Sequence, residues 1–278
     1  MAAVASLPDQ RPTGPYGGVR RAAGPVVVAA AALGKYGLLL LKLGKFGPTL
    51  ISMAATVWLM GRLFGWEYGV GLVALIAVHE SGHLLFARAE GIRAGAPIFL
   101  GPFGAVIGLK QPPKDARQEA VIAIGGPVVG TIGALIALAW SQAAPDGTHA
   151  HLLLLALANV GFLLNLFNLI PFSPLDGGRV ASALSPWANL VGLGIVLLLI
   201  AGPLLSGGAV NPLLLLILVI GGISTWQRFK NRGLHPEYEA IPPGTRMWIA
   251  LAYAAMLAIT ALGMSQTHAA LQAVTIVQ

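Results

Sequence analysis

The sequence predicts an all-α polytopic membrane protein. About seven transmembrane helices are expected, with a small membrane-associated β-hairpin between the second and third. Three observations predict it. Of the 278 residues, 56% are hydrophobic and only 10% are charged, where a soluble domain carries about 25%. A chain this apolar cannot clothe a soluble surface and belongs in lipid. Seven apolar stretches approach the ~20 residues that cross ~30 Å of hydrocarbon. Lys and Arg gather in alternate connections between those stretches, as they do when one side faces the cytoplasm.

Residues 1–24 are rich in Pro, Gly, Ala and Arg without hydrophobic period, and read as a disordered cytoplasmic tail. Residues 25–46 set Lys35, Lys42 and Lys45 among leucines. That pattern suits a helix lying at the membrane interface, its lysines reaching the headgroups, with an extra tightly packed span as the alternative. The predicted spans are 47–64, 69–89, 118–142, 151–171, 188–205, 211–227 and 246–264. Arg88, Arg93, Lys110, Lys114 and Arg117 lie between the second and third spans. Arg179 follows the fourth, and Arg228, Lys230, Arg232 and Arg246 lie between the sixth and seventh. The intervening connections 66–69, 141–149 and 205–211 carry no Lys or Arg; Arg62 is the exception near that side. The net charge of +7 is thereby accounted for by topology, with the bilayer as partner and no nucleic acid. The absence of cysteine excludes disulfides and thiolate ligands, so a transition metal must be held by His and carboxylates.

The second span contains His79-Glu80-Ser81-Gly82-His83. Three ionisable side chains inside one apolar helix are expensive and mark function. His79 and His83, four apart, project from one face and share one metal ion. Glu80 sits beside them as general base, the H-E-x-x-H pattern of zinc hydrolases. Glu90 lies seven residues past His83, about 10 Å along the axis, too far for the same ion, and is expected at the interface. Glu119 is expected to stabilise the start of the third span. His149, His151, His235 and His268 read as exposed.

The fourth span contains Asn165 and Asn168 on one side and ends in Pro171-Phe172-Ser173-Pro174-Leu175-Asp176-Gly177-Gly178-Arg179. The prolines stop the helix. Asp-Gly alone reads as a turn, yet a carboxylate delivered by broken backbone is what the histidine pair lacks. Irregular backbone is tolerated at membrane depth where protein or a water-filled cavity surrounds it. H-E-x-x-H in one span followed by N-x-x-P-x-x-x-L-D-G in a later one resembles the site-2 protease family of intramembrane zinc metalloproteases, in a compact form without PDZ or CBS domain. Asn168, Pro171, Leu175, Asp176 and Gly177 fill the fixed positions of the second motif.

The resemblance covers residues 47–180 and implies a catalytic membrane core there, with 181–278 as additional transmembrane helices. It implies one Zn2+ per chain held by His79, His83 and Asp176, with Glu80 as base. It implies a place near the metal and substrate for Asn168, and an active site opening to the cytosol. The apolar, glycine-punctuated stretch 96–109 is expected to form a hairpin whose edge binds an extended substrate, through Gly101, Phe103 and Gly104. Gly125-Gly126-Pro127 is expected to pack helices closely. The function implied is hydrolysis of peptide bonds in or near transmembrane segments of single-span membrane proteins. The competing reading is a non-catalytic metal-binding membrane protein, either transporter or protease-like scaffold.

Overall fold

The computed structural model of the chain describes residue 44 and residues 46–101, 104–185, 187–231, 234 and 236–277. The expected tail 1–24 and almost all of the expected interfacial helix 25–46 lie outside them. The chain divides into the units Met1–Pro48 and Thr49–Gln278. In the first, residues 46–48 are helical. All that follows concerns the second.

Residues 49–64 form helix α1. Then come α2 (Trp66–Ala89), β1 (Ile98–Phe99), β2 (Ala105–Val106), α3 (Ala116–Ala143), α4 (His149–Asn168), α5 (Asp176–Leu184), α6 (Ala188–Leu205), α7 (Pro212–Lys230), α8 (Pro236–Glu239) and α9 (Pro243–Val277). Among the described residues, α2, α3, α4, α6, α7 and α9 are long and apolar enough to cross a membrane. They account for six of the seven predicted spans; α1 occupies the place of the first. Large apolar side chains such as Leu198, Val219 and Leu262 stand exposed on α6, α7 and α9. An apolar surface of that kind is stable against lipid and not against water.

Local chemistry sets the element ends. Gly65, at φ +92°, provides the left-handed backbone between α1 and α2. Asp115 caps α3 by accepting from Gln118 N at 2.7 Å, and Gln118 Oε1 returns to accept from Lys114 N at 2.9 Å, a capping-box arrangement. Thr148 caps α4, accepting from His151 N. Asn211 caps α7 with Pro212 at its first position, where a missing N–H costs nothing.

Side-chain contacts fix the helix directions. Arg117 at the start of α3 holds Glu90 just past the end of α2 through two bonds, 2.9 and 3.0 Å. His149 at the start of α4 meets Glu67 at the start of α2. Tyr253 of α9 donates to Leu169 O, just past α4, at 2.6 Å, while Asn159 of α4 donates to Thr267 at 2.9 Å. Successive helices therefore run antiparallel. The ends bearing Arg88, Arg117, Arg228, Lys230 and Arg246 share one face of the molecule, called the basic face below. α3 lies at the centre: over half of its apolar window is buried, against a third or less in each of the other five.

The hairpin is present, with Ile98 opposite Val106, Phe99 opposite Ala105 and a further bridge between Ala94 and Leu109. Glu119 does stand in the first turn of α3. Its carboxylate also accepts from Arg228 of α7 at 3.0 Å and from Tyr238 of α8 at 2.8 Å, a long-range tie that spacing alone does not reveal. Burial, followed by the Glu119 charge, pushes the Tyr238 phenol above its ordinary range, so it stays a donor.

Candidate metal centre

Four helices build the site. On α2, His79 and Glu80 are buried about two and a half turns before the helix end. His83 follows one turn later and its Nε2 lies 3.3 Å from His79 Nε2. α5 starts at Asp176, whose Oδ2 is 3.2 Å from each of those nitrogens. These three are the group among the described residues able to hold a metal ion. The Glu80 carboxylate is buried and lies in electrostatic range of His79, His83, Asp176 and Arg179. With a rise of ~1.5 Å per residue, His83 sits roughly 9 Å inside the end of α2.

The far sides of both imidazoles decide what the near sides do. His83 Nδ1 is 2.9 Å from the carbonyl of Ile122. A carbonyl only accepts, so Nδ1 carries the proton and Nε2 presents a lone pair. His79 Nδ1 is 2.9 Å from Asn165 Oδ1, while Asn165 Nδ2 donates to Gly161 O at 2.7 Å. The amide orientation makes Oδ1 the acceptor, so His79 too presents a bare Nε2. Two lone pairs and a carboxylate oxygen thus converge within 3.3 Å of one another. That arrangement is repulsive unless a cation lies among them.

The donor set fits zinc. A tetrahedral ion with bonds of about 2.0–2.1 Å holds its ligands roughly 3.3 Å apart. Space is kept for it: a Cβ at Gly126 would stand 2.3 Å from His83 Nε2 and 2.8 Å from His79 Nε2. One turn on, a Cβ at Gly130 would meet Asn165 Oδ1 at 2.3 Å. Gly82 and Gly125 bring α2 and α3 together, since a Cβ at Gly82 would fall 2.1 Å from Gly125 O. The expected packing role of the Gly125-Gly126-Pro127 stretch therefore extends to shaping the metal cavity.

Asp176 is the first residue of a nine-residue helix, where the sequence suggested a turn. Three helices brace the turn before it. Asn189 of α6 accepts from Ser173 N at 3.2 Å and donates to Ser182 Oγ at 2.7 Å. A Cβ at Gly192 of α6 would be 2.2 Å from Pro171 O, and one at Gly221 of α7 would be 2.1 Å from Ser173 O. Tyr253 of α9 holds Leu169 O. Within α5 itself, Gly177 and Gly178 leave room for residues 169–173 to fold back, a Cβ at Gly177 lying 2.2 Å from Leu169 O and one at Gly178 2.2 Å from Ser173 N.

The remaining predicted positions stand apart from this group. Asn168 donates to Leu164 O of its own helix at 3.0 Å; the asparagine that meets a histidine of the centre, His79, is Asn165. Gly101 N donates to Thr56 Oγ1 at 3.1 Å, and the neighbouring Phe99 N donates to Ser52 Oγ at 3.0 Å. Gly101 and Gly104 have φ of +67° and +85°, turn conformations that favour glycine. Phe103 lies outside the described residues, as does His235. His151, expected exposed, is half-buried with Nδ1 2.9 Å from Ser141 O.

Residues 68–146 match the profile of Peptidase family M50, a stretch that includes the H-E-x-x-H motif and stops short of Asp176. A zinc metalloprotease of Methanocaldococcus jannaschii is 34% identical over 113 residues, 41% of this chain and 32% of the relative. A Mycobacterium tuberculosis protein, provisionally named a zinc metalloprotease, is 36% identical over 138 residues, 47% of this chain and 33% of the relative. The chain thus spans about a third of the length of these curated relatives. Among solved structures it is similar to the site-2 protease from Methanocaldococcus jannaschii, with 26% identity and a TM-score of 0.43, over 64% of this chain and 87% of that one. The family match and the named relatives support the resemblance to site-2 proteases carried by the two motifs, and zinc as cofactor.

Proposed function

We propose, from the Peptidase family M50 match and the geometry of the metal centre, that this chain is a site-2-type intramembrane zinc metalloendopeptidase. It hydrolyses peptide bonds in or near transmembrane segments of single-span membrane proteins. One observation carries the reading: His79, His83 and Asp176 direct three acceptor atoms at one point with the buried Glu80 carboxylate alongside. His79, His83 and Asp176 would hold the metal, and residues 47–180 would form the catalytic core. When bound, zinc supplies Lewis-acid polarisation and makes water a nucleophile near neutral pH. Glu80 accepts the proton of the attacking water and returns it to the departing amine nitrogen. Asn165 and the Ile122 carbonyl keep both imidazoles in the ligating tautomer.

Among the described residues, one edge of the hairpin has no hydrogen-bonded partner. On β1 and just past it, the outward N–H groups of Phe99 and Gly101 are taken by the Ser52 and Thr56 hydroxyls. Leu100 N donates to Gly104 O at 2.8 Å, so the next pair, Phe99 and Ala105, is non-hydrogen-bonded and the Ala105 backbone on β2 faces away from β1. We place an extended substrate there, since cleavage requires a peptide bond freed from helix. The basic face is assigned to the cytoplasm of a cell-membrane protein by its excess of Lys and Arg. The expected outcome is release of a membrane-tethered protein on that side.

The test is Glu80→Gln in detergent-purified protein, with metal content and cleavage of a panel of single-span probes measured together. Zinc should stay near one per chain while the rate falls at least about 100-fold. Cleavage persisting in the variant, or zinc-loaded wild type cutting no probe, would return the chain to the scaffold or transporter reading.

A further inference from the structure

Arg179 lies one helical turn beyond Asp176 on α5. It lines a cavity of about 420 Å3 with Ile107, Ile122, Ser173 and Pro174. Ile107 follows the open strand edge. Ile122 supplies the carbonyl that holds His83. The cavity therefore lies beside both the edge where an extended peptide would pair and the backbone that holds His83, on the side of the basic face. Three charged residues line it: Glu119, Arg179 and Arg228. Arg228 and Glu119 bind one another at 3.0 Å, and Tyr238 takes the second Glu119 oxygen. Arg179 is half-buried. Among the described residues, no hydrogen-bonded or ion-paired partner stands against it, and its electrostatic interaction is with Glu80.

A half-buried guanidinium that lines a cavity, with no carboxylate within hydrogen-bonding reach among the described residues, can take one there. Its fork matches a carboxylate through two parallel hydrogen bonds. Building on the peptidase reading above, we propose that Arg179 is a specificity residue selecting substrates with an acidic side chain on the basic-face side of the scissile bond. The discrimination works by repulsion as much as attraction. Single-span proteins carry Lys and Arg on their cytoplasmic flank, and those charges would meet Arg179 head-on. An acidic residue in that flank separates a substrate from the bulk of membrane proteins.

The test uses the full chain in phosphatidylcholine vesicles, which carry no net charge to attract probe or enzyme. The probe is a single-span peptide with a glycine-rich segment, in sets bearing Glu, Gln or Lys at successive positions past the scissile bond. At one or two neighbouring positions the wild type should cut the Glu probe at least about fivefold faster than the Lys probe, as attraction of one charge and repulsion of the other add at a partly exposed site. Arg179→Glu should invert the ratio, and Arg179→Gln should bring it to near one even where the reversed charge fails to fold. A wild-type ratio of one at every position, or a ratio unchanged in Arg179→Gln, would overturn the inference while leaving the peptidase reading intact. Failure to cut any probe would overturn both. A preference that follows added phosphatidylglycerol in place of residue 179 would assign the guanidinium to lipid phosphate and also overturn it.

Discussion

Asn165 illustrates how much a single side chain decides. It is buried, and its amide oxygen meets His79 while its amide nitrogen holds Gly161 O. Partners that fix the far nitrogen of a ligating histidine typically contribute 10–100-fold to metal affinity. Asn165→Leu should therefore weaken zinc binding by about that factor, read by competition with a chromogenic chelator. Asn165→Asp, which keeps an oxygen against Nδ1, should recover most of it. Equal affinities for wild type and Asn165→Leu would remove Asn165 from the metal centre. The preference for Asn165 over Asn168 was not legible in the sequence. The two are three residues apart on α4, about 60° in rotation, and the crossing angle of α2 with α4 alone settles which one faces His79. The histidine pair was legible because a spacing of four fixes a shared face in any helix.

At the scale of elements, the turn from Leu169 to Leu175 is the piece on which the centre depends, and its supports come from α6, α7 and α9. Asn189→Ala would leave Ser173 N and Ser182 Oγ without their partner in the interior, at a cost of about 1–3 kcal/mol. The expected result is a lowered thermal midpoint together with weaker zinc binding, because the same turn delivers Asp176. A lowered midpoint with unchanged affinity would show that Asp176 is held by α5 alone. The sequence placed the carboxylate near the metal through its motif, yet read the segment as a turn. Nine residues beginning Asp-Gly-Gly carry too little helical signal, and tertiary contacts at Gly192 and Gly221 supply the rest. The hairpin was legible from its glycines and apolar run. The occupation of its β1 edge was not, since it depends on hydroxyls of α1 distant in sequence.

For the molecule as a whole, the membrane class, the antiparallel run of helices and the basic face follow from composition and charge spacing. The central position of α3 does not, because apolar helices in lipid read alike whichever side they bury. If three side chains from α2 and α5 share one ion, that ion links the two halves of the bundle. Chelation should then lower the unfolding midpoint of the wild type, free zinc at 1,000 times its dissociation constant contributing about 4 kcal/mol. Glu80→Gln should show the same dependence, as it keeps the ligands, whereas His83→Ala should show none. A midpoint indifferent to chelator in the wild type would mean that the donors form no shared site.

The grip of Tyr253 on the carbonyl of Leu169 has a consequence for biogenesis. The histidines emerge from the ribosome early, while the aspartate's brace is completed only when α9, the last helix described, has been inserted and docked. A partly translated chain thus holds its imidazoles without a settled third donor. Hydrolytic power would arrive with the finished bundle, sparing the insertion machinery and neighbouring nascent segments.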